Sequence, residues 1–274
     1  MLEPAAGKRL GGFMETWVQA IFKALEQRWA VVNGAVLFYT CLPLPSHLPV
    51  KFGSISRVAP AVGLGIGGLL TSVDWLLGLG LPQLLRSALV ILGGVWLTGG
   101  LHLDGAMDTA DGLAVQDDGR RLEVMADSQA GAFGVMVAIA ILLLKITALA
   151  AISHHRWFAL LSAAAWGRWG QQWAIGSYPY LKPHGKGAFH KQAIPSRWQT
   201  LPWALGLTAM TAVAVTPGWI TWRLGVLALG IGMGSACLVA AWLNRRLGGH
   251  TGDTYGAVVE WVETAVLVGL ASAY

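Results

Sequence analysis

Gly99–Gly112, GGLHLDGAMDTADG, is the stretch on which the interpretation of this chain depends. If the segment from Asp104 onward is helical, Asp104, Asp108 and Asp111 stand at i, i+4 and i+7, within an arc of roughly 60°. Three carboxylates on one stripe repel each other, and a cation bound between them removes that cost. Hard oxygen ligands suit Mg²⁺ or Mn²⁺, so the stripe predicts a metal site that holds substrate phosphates. The alternative is a solvated acidic helix face.

The composition around this stretch is that of a lipid-embedded protein. The chain has 274 residues, of which 55% are hydrophobic and only 12% charged, whereas a soluble domain carries about 25% charged residues. Fourteen tryptophans fit interfacial belts. The 19 basic residues exceed the 14 acidic ones, but no basic run with interleaved aromatics occurs, so nucleic acid is not a predicted partner.

The two cysteines, Cys41 and Cys237, lie in apolar runs and are expected to be buried, unpaired residues. Residues 1–28 lack the apolar core of a signal peptide and predict an amphipathic helix at the membrane surface. Residues 29–45 are apolar but shorter than the ~20 residues that a span needs. They are expected to form either a re-entrant segment or a strongly tucked helix.

Longer apolar segments predict about seven membrane spans. The predicted fold is therefore all-α: a polytopic integral membrane helical bundle of about seven transmembrane helices, plus the re-entrant or short N-terminal segment, in one domain over 1–274. The predicted spans are 58–82, 84–103, 131–152, 157–176, 201–221, 223–243 and 256–274.

The charges between the spans predict the orientation. If the loop 104–130 is cytoplasmic, Arg86, Arg156 and Arg223 are the only basic loop residues that fall outside, which obeys the positive-inside rule. The same assignment gathers the loops 104–130, 177–200 and 244–255 at one face, and these loops hold most of the chemically capable side chains. The active face is therefore predicted to be cytoplasmic.

Two residues near the acidic stripe have open roles. Asp127, followed by Ser128, immediately precedes a span and is either an N-cap or a further metal ligand. His102 points about 160° away from Asp104 in an unbroken helix, so it joins the site only if the neighbouring glycines break the helix. Otherwise it is a satisfied, buried histidine.

The last polar loop, 248–257, combines glycines with Thr251, Gly252 and Asp253, and such a backbone can approach phosphates closely. Glu260 and Glu263 follow inside the final span, where carboxylates are costly and usually face a site or a partner.

Two basic residues inside predicted spans, Lys145 and Arg168, either bind phosphate or form internal salt bridges. The loop 178–191 mixes lysine, histidine, glycine and aromatic residues, and it either holds a phosphate or anchors the chain by its positive charge. No Ser-His-Asp order, Walker motif or zinc spacing occurs, so metal-assisted transfer is the expected chemistry.

The motif Gly99–Gly112 resembles the signature of the cobalamin synthases, also called adenosylcobinamide-GDP ribazoletransferases. The resemblance covers most of the chain after residue 40. It continues through Leu42–Pro45, Ser56–Gly63, Met125–Gly134, Lys145, Arg168, Gly249–Ala257, Glu260 and Glu263.

This resemblance implies a Mg²⁺-dependent transferase of the bacterial inner membrane, which joins adenosylcobinamide-GDP to α-ribazole or its 5′-phosphate and releases GMP. Asp104, Asp108, Asp111 and Asp127 are then the expected metal ligands, and the base is Asp253, His102 or Asp111. The expected substrate-binding and phosphate-binding residues are Arg168, Lys145, Gly105, Thr251, Gly252, Glu260, Glu263 and Ser128.

Two other functions remain open from the sequence. One is another aspartate-rich membrane transferase, of the CDP-alcohol or prenyl type. The other is a cation or proton transporter, in which Asp74, Lys145, Arg168, Glu260 and Glu263 line a path. A transporter needs polar residues throughout the membrane depth, whereas most of them lie at one edge here, which favours an enzyme. The sequence leaves the oligomeric state open, and a homo-oligomer is compatible with it.

Overall fold

The computed structural model describes residues 5–182, 185 and 187–274, with side chains from residue 19 onward. These residues form helices and no strand, which confirms the all-α prediction; Pro183, His184 and Lys186 of the loop 178–191 lie outside the described residues. The helices are α1 (Ala5–Tyr39), α2 (Ala59–Leu77), α3 (Gln83–Leu97), α4 (Leu101–Ala114), α5 (Arg121–Val124), α6 (Ala132–Ala151), α7 (Arg156–Ser177), α8 (Ala188–Ala193), α9 (Leu201–Val215), α10 (Trp222–Leu247) and α11 (Gly252–Ala271).

Four helices of the described chain are long and apolar enough to cross a membrane, or five if the bent pair α3 and α4 counts as one broken span. The fold is therefore that of a helical membrane protein, but the predicted count of about seven spans is not confirmed. The predicted span 201–221 is not confirmed, because α9 has only 15 residues. The four helices are Ile55–Leu77, Ala132–Ala151, Trp222–Leu247 and Gly252–Ala271.

The central helix α7 is also missing from these four helices, although it has 22 residues. The reason is that these residues include buried arginine and glutamine side chains. It packs against α2, α10 and α11, with Trp166 and Trp169 buried in the core. Gly67 of α2 allows a close approach, since a Cβ atom there would lie 2.8 Å from the Cα atom of Leu161. The polar residues of α7 thus face protein rather than lipid, and hydropathy alone underestimates this helix.

The predicted boundary between an N-terminal surface helix, 1–28, and a separate apolar segment, 29–45, is wrong. The helix α1 continues from Ala5 to Tyr39 without a break at residue 28, so 29–45 does not form a separate re-entrant segment. No proline lies within α1 to stop it, and the chain leaves the helix just before Pro43 and Pro45, which cannot continue it. Residues 1–4 lie outside the described residues.

The predicted span 84–103 is also wrong, because α3 ends at Leu97 and α4 turns away from it by 87°. Gly99 and Gly100 form the bend with φ angles of 60° and 71°, in the left-handed region that favours glycine. The amide of Cys41 caps α3 by donating to the Leu97 carbonyl at 2.8 Å. Both cysteines are unpaired, as predicted, but Cys41 is exposed.

Contacts between loops define two ends of the bundle. At the end that carries α4, which we call the acidic end, the amide of Leu181 donates to the His250 carbonyl at 2.8 Å. Arg121 Nη1 donates to the Arg246 carbonyl at 3.0 Å. The three loops predicted to share one face therefore do meet. At the opposite end, the Tyr274 hydroxyl donates to the His154 carbonyl at 2.6 Å.

A buried cluster of charges joins α6, α7 and α11. Lys145 Nζ lies 2.7 Å from Glu260 Oε2 and 2.5 Å from Glu263 Oε2, and Arg168 pairs with the other oxygen of Glu263. Two cations and two anions leave this charge quartet (Lys145, Arg168, Glu260 and Glu263) neutral. Of the two roles open for Lys145 and Arg168, the structure places both side chains in internal salt bridges.

We expect Glu263→Gln to destabilise the fold strongly. Loss of this carboxylate leaves Arg168 and part of the Lys145 charge buried without a partner, which typically costs roughly 3–5 kcal/mol. The matched control is Glu123→Gln, which removes an exposed carboxylate 3.8 Å from Arg120 and should cost less than about 1 kcal/mol. Equal losses of the free energy of unfolding in detergent, measured with a denaturant, would contradict this role of the quartet.

Candidate active site

The acidic helix α4 packs directly on the start of α11. A Cβ atom at Gly105 would lie 2.6 Å from the Asp253 carbonyl oxygen, and one at Gly256 would lie 3.0 Å from the His102 carbonyl oxygen. A Cβ atom would clash at Gly105, and at Gly256 it would make an unusually tight contact. The contact places Asp253, which follows a different motif in the sequence, beside the carboxylates of α4.

Asp108 lies at the centre of this arrangement. It is half-buried, and the charges of Asp104, Asp253 and Asp111 all act on it unfavourably, while Lys182 supplies the opposing positive charge. Lys182 Nζ lies 3.6 Å from Asp253 Oδ2. Among the described residues, negative charge is thus in excess around Asp108, and this excess favours the binding of a cation.

Asp111 has a structural role that the sequence analysis missed. Its Oδ2 accepts from the amide of Gly131 and its Oδ1 from the amide of Gly134, both at 2.8 Å. These two amides belong to the unpaired N-terminal turn of α6, so Asp111 caps that helix from 20 residues upstream. The spacing of Gly131 and Gly134 ahead of a span was the only sequence signal for this contact.

Asp127 and Ser128 lie in the loop before α6 with exposed side chains. Asp127 Oδ1 accepts from the amide of Gln129 at 3.0 Å and does not cap α6, whose N-cap is Gly131. A cavity of about 330 Å³ is lined by both Asp111 and Asp127. Of the four predicted metal ligands, Asp104 and Asp108 do not line this cavity.

Within the described residues, no three His, Cys, Asp or Glu side chains are gathered closely enough to hold a metal ion. The donor chemistry nevertheless fits Mg²⁺, because Asp104 and Asp108 offer carboxylate oxygens beside Asp253, and Lys182 is the described residue whose positive charge offsets them.

His102 lies on the other side of α4 from the acidic stripe. The helix is unbroken from Leu101 to Ala114, so the condition for His102 to join the carboxylates is not met. Its ring is buried, stacks on Tyr39 with the centroids 6.0 Å apart, and has no hydrogen-bond partner at either nitrogen among the described residues.

The start of α11, within the predicted phosphate site, is fixed by side-chain caps. Thr251 and Thr254 form a reciprocal capping box, and the Thr251 hydroxyl also donates to Asp253 Oδ2 at 3.1 Å. Gly252 is exposed, with open space where a side chain would stand. The first-turn amides and the helix dipole make this terminus suitable for an anion.

Aromatic rings that sequence reasoning did not single out surround this terminus. The Tyr255 ring stacks on His250 with the centroids 5.6 Å apart and on Tyr180 at 5.9 Å. Their only sequence signal was the aromatic content of the loops 178–191 and 248–257. The stack holds the two loops together beside Asp253.

His250 is an internal support of this loop. Its Nε2 donates to the Ala240 carbonyl at 3.1 Å, and its Nδ1 lies 3.0 Å from the Thr254 hydroxyl. Burial lowers the pKa of His250 to about 4, with a smaller contribution in the same direction from the Lys191 charge. Burial alone lowers the pKa of His190 to about 4.

These two pKa values predict an acid-sensitive fold. Each histidine is neutral in the folded protein and binds a proton near pH 6.5 when unfolded. Its contribution to the free energy of unfolding is therefore full above about pH 6.5 and is lost as the pH falls toward 4. The loss amounts to roughly 3 kcal/mol per histidine. His250→Gln should remove roughly 3 kcal/mol of this pH dependence of the free energy of unfolding, whereas His47→Gln, at an exposed residue, should leave it unchanged. An unaltered slope in His250→Gln would refute the assignment.

The protein-family model and the curated relatives that match this chain indicate the same family. A protein-family model described as cobalamin-5-phosphate synthase matches residues 32–271. No solved structure is a significant match.

The chain is similar to several proteins named adenosylcobinamide-GDP ribazoletransferase. It is 56% identical to that of Trichormus variabilis over 238 residues, which cover 85% of this chain and 93% of the relative. It is 49% identical to that of a Synechococcus species, covering 89% and 97% of the two chains. Identity to that of Thermosynechococcus vestitus is 47%, covering 90% and 96%.

Proposed function

Because the chain belongs to the cobalamin-5-phosphate synthase family, we propose that it joins adenosylcobinamide-GDP to α-ribazole or its 5′-phosphate. The names of its relatives support this transferase reaction. The structural observation that carries the proposal is that the charges of Asp104, Asp253 and Asp111 all act on Asp108, beside a helix terminus suited to phosphate.

The reaction is a phosphoryl transfer. A hydroxyl oxygen of the ribazole attacks the phosphorus that carries the corrinoid, the bond from this phosphorus to the bridging oxygen breaks, and GMP leaves with that oxygen. The hydroxyl proton passes to a base. The products are adenosylcobalamin or its 5′-phosphate, together with GMP, and no oxidant or reductant is required.

Asp104 and Asp108 would hold Mg²⁺, with Asp253 beside them and with Asp111 and Asp127 nearby. When bound, the ion supplies positive charge that neutralises the pyrophosphate and the leaving GMP. In its absence these carboxylates repel an anionic substrate. The chain's own cation at this place is Lys182, which with the first turn of α11 orients the phosphates.

Of the three candidate bases, Asp253 fits best. Both oxygens of Asp111 accept hydrogen bonds from backbone amides, and His102 is buried away from the acidic stripe. The half-buried Asp253 faces the same space as Asp108. Lys145 and Arg168 act indirectly in this proposal, by fixing α6, α7 and α11 through the charge quartet.

We propose that the protein lies in the bacterial inner membrane with its acidic end toward the cytoplasm. The apolar helices support a membrane location. The excess of lysine and arginine in the loops of the acidic end supports the orientation. The family makes the transporter and the CDP-alcohol transferase the weaker alternatives.

We expect Asp108→Asn to reduce turnover at least roughly hundredfold, since it removes a carboxylate from the centre of the proposed metal site. Purified protein in nanodiscs would receive adenosylcobinamide-GDP, α-ribazole 5′-phosphate and Mg²⁺, with GMP and the corrinoid product measured. The matched control is Asp118→Asn, at an exposed residue that pairs with Arg121 and should retain activity.

Chelation by EDTA should stop the reaction of the unaltered protein, and added Mg²⁺ should restore it. Full turnover in EDTA would contradict the metal, while near-normal activity of a folded Asp108→Asn protein would contradict the assigned site. Absence of product from folded protein with both substrates and Mg²⁺ would refute the reaction itself.

Asp253→Asn tests the base. The amide cannot accept the hydroxyl proton, so kcat should fall roughly 10²–10⁴-fold while KM for α-ribazole 5′-phosphate changes little. His102→Gln, on the opposite side of α4, is the comparison and should keep kcat within about tenfold. A larger loss of kcat in His102→Gln than in Asp253→Asn would transfer the role to the histidine.

A further inference from the structure

A second cluster of charges lies at the end of the bundle opposite the acidic site. Arg156 donates to Asp74 through Nη2 at 2.6 Å and through Nε at 3.0 Å, and Arg86 Nε donates to Asp74 Oδ1 at 2.9 Å. Arg156 also donates to the Ser87 hydroxyl at 3.0 Å. Asp74 and Arg156 are both buried. None of these residues belongs to the proposed transferase site.

The charges of this cluster do not balance. Two guanidinium groups share one carboxylate, whereas the quartet in the core of the bundle pairs two cations with two anions. An uncompensated charge at an apolar boundary is costly. The carbonyls of Leu149 and Ile152, at the end of α6, satisfy Arg156, so the excess positive charge is best available at Arg86, whose side chain is 22% exposed.

A cavity of about 470 Å³ opens beside this excess charge. Its lining includes Arg86 and Arg156, the exposed Ser153 and His154, and Trp75, whose side chain is 65% exposed. Within the described residues, the only carboxylate that lines it is Asp74, which the two arginines already engage. The volume is sufficient for a phosphate group with a small substituent.

The first turn of α7 also faces this cavity. Its N-cap, His155, has the left-handed angles φ 58° and ψ 27° and provides no side-chain cap, although a non-glycine residue with positive φ is uncommon. The Tyr274 hydroxyl, 2.8 Å from His155 Nδ1, holds the residue in place. The uncapped start of a 22-residue helix adds its dipole to the two arginines.

We propose that this cavity binds a phosphate group at the end of the protein remote from catalysis. Three independent features support it: the unbalanced guanidinium charge, the open cavity and the uncapped helix start. In a membrane, the phosphate of an anionic phospholipid headgroup and free phosphate share this chemistry. The exposed Trp75 beside the cavity suits the headgroup region. The lipid source rests on the proposed membrane location, not on the transferase reaction.

The test places a charge inside the cavity without touching the Asp74 pairs. Ser153→Glu adds a carboxylate that competes with a bound phosphate, and Ser153→Lys at the same exposed position adds a cation instead. Arg223→Gln removes an exposed arginine at the start of α10, which does not line the cavity. A folding defect caused by replacing Ser153 as such would affect both Ser153 variants alike.

Delipidated protein in a neutral detergent would be titrated with phosphatidylglycerol or phosphatidylcholine and examined by native mass spectrometry. In parallel, its unfolding temperature would be followed in inorganic phosphate against chloride at equal ionic strength. We expect a preference for phosphatidylglycerol that falls about tenfold in Ser153→Glu, as for loss of a charge-assisted contact. The preference should be kept in Ser153→Lys and in Arg223→Gln.

A phosphatidylglycerol preference without a response to inorganic phosphate identifies the lipid headgroup as the ligand. A rise of the unfolding temperature in phosphate that Ser153→Glu abolishes identifies free phosphate. If neither occurs, or if Ser153→Glu leaves both unchanged, the site is refuted. Transferase turnover is measured on the same samples and should persist in Ser153→Glu, so failure of the reaction and failure of this site are distinguishable.

Discussion

The neutral charge quartet is the constraint on which the acidic end depends. It joins α6 through Lys145, α7 through Arg168 and α11 through Glu260 and Glu263. Because charges in a low-dielectric interior are tolerated only with their partners, these three helices cannot slide past one another freely. The start of α11, with Asp253, is thereby held at a fixed height in the bundle.

The acidic helix α4 is then fixed between two of these three helices. Gly105 brings its backbone against Asp253 of α11, and Asp111 receives two amides from the first turn of α6. One carboxylate of the stripe is thus used for architecture, which leaves Asp104 and Asp108 with Asp253 for chemistry. The 87° bend at Gly99 and Gly100 makes this placement possible.

Local spacing predicted the features that depend on one helix. These are the stripe of Asp104, Asp108 and Asp111 and the presence of several apolar helices. Spacing also predicted that His102 is buried on the other side of α4, provided that this helix is unbroken. The features that sequence did not reveal depend on contacts between distant segments. Asp111 capping α6 is one such contact, and the bend that ends α3 at Leu97 is another. The central position of α7 was not evident from the sequence for the same reason. Its polar side chains have partners on other helices, whereas hydropathy is calculated from each residue alone.

The distribution of unmatched charge follows a single physical rule. In the core of the bundle, the two cations and two anions of the quartet balance. Near the two ends, where a ligand can enter, the balance is incomplete: carboxylates outnumber Lys182 around Asp108, and guanidinium groups outnumber Asp74 at the other end. A fold that tolerates like charges side by side must recover that cost from counter-ions. The unmatched charge therefore supports both proposed sites and the sign of the ligand proposed for each: a cation with its phosphates at the acidic end, and an anion at the opposite one.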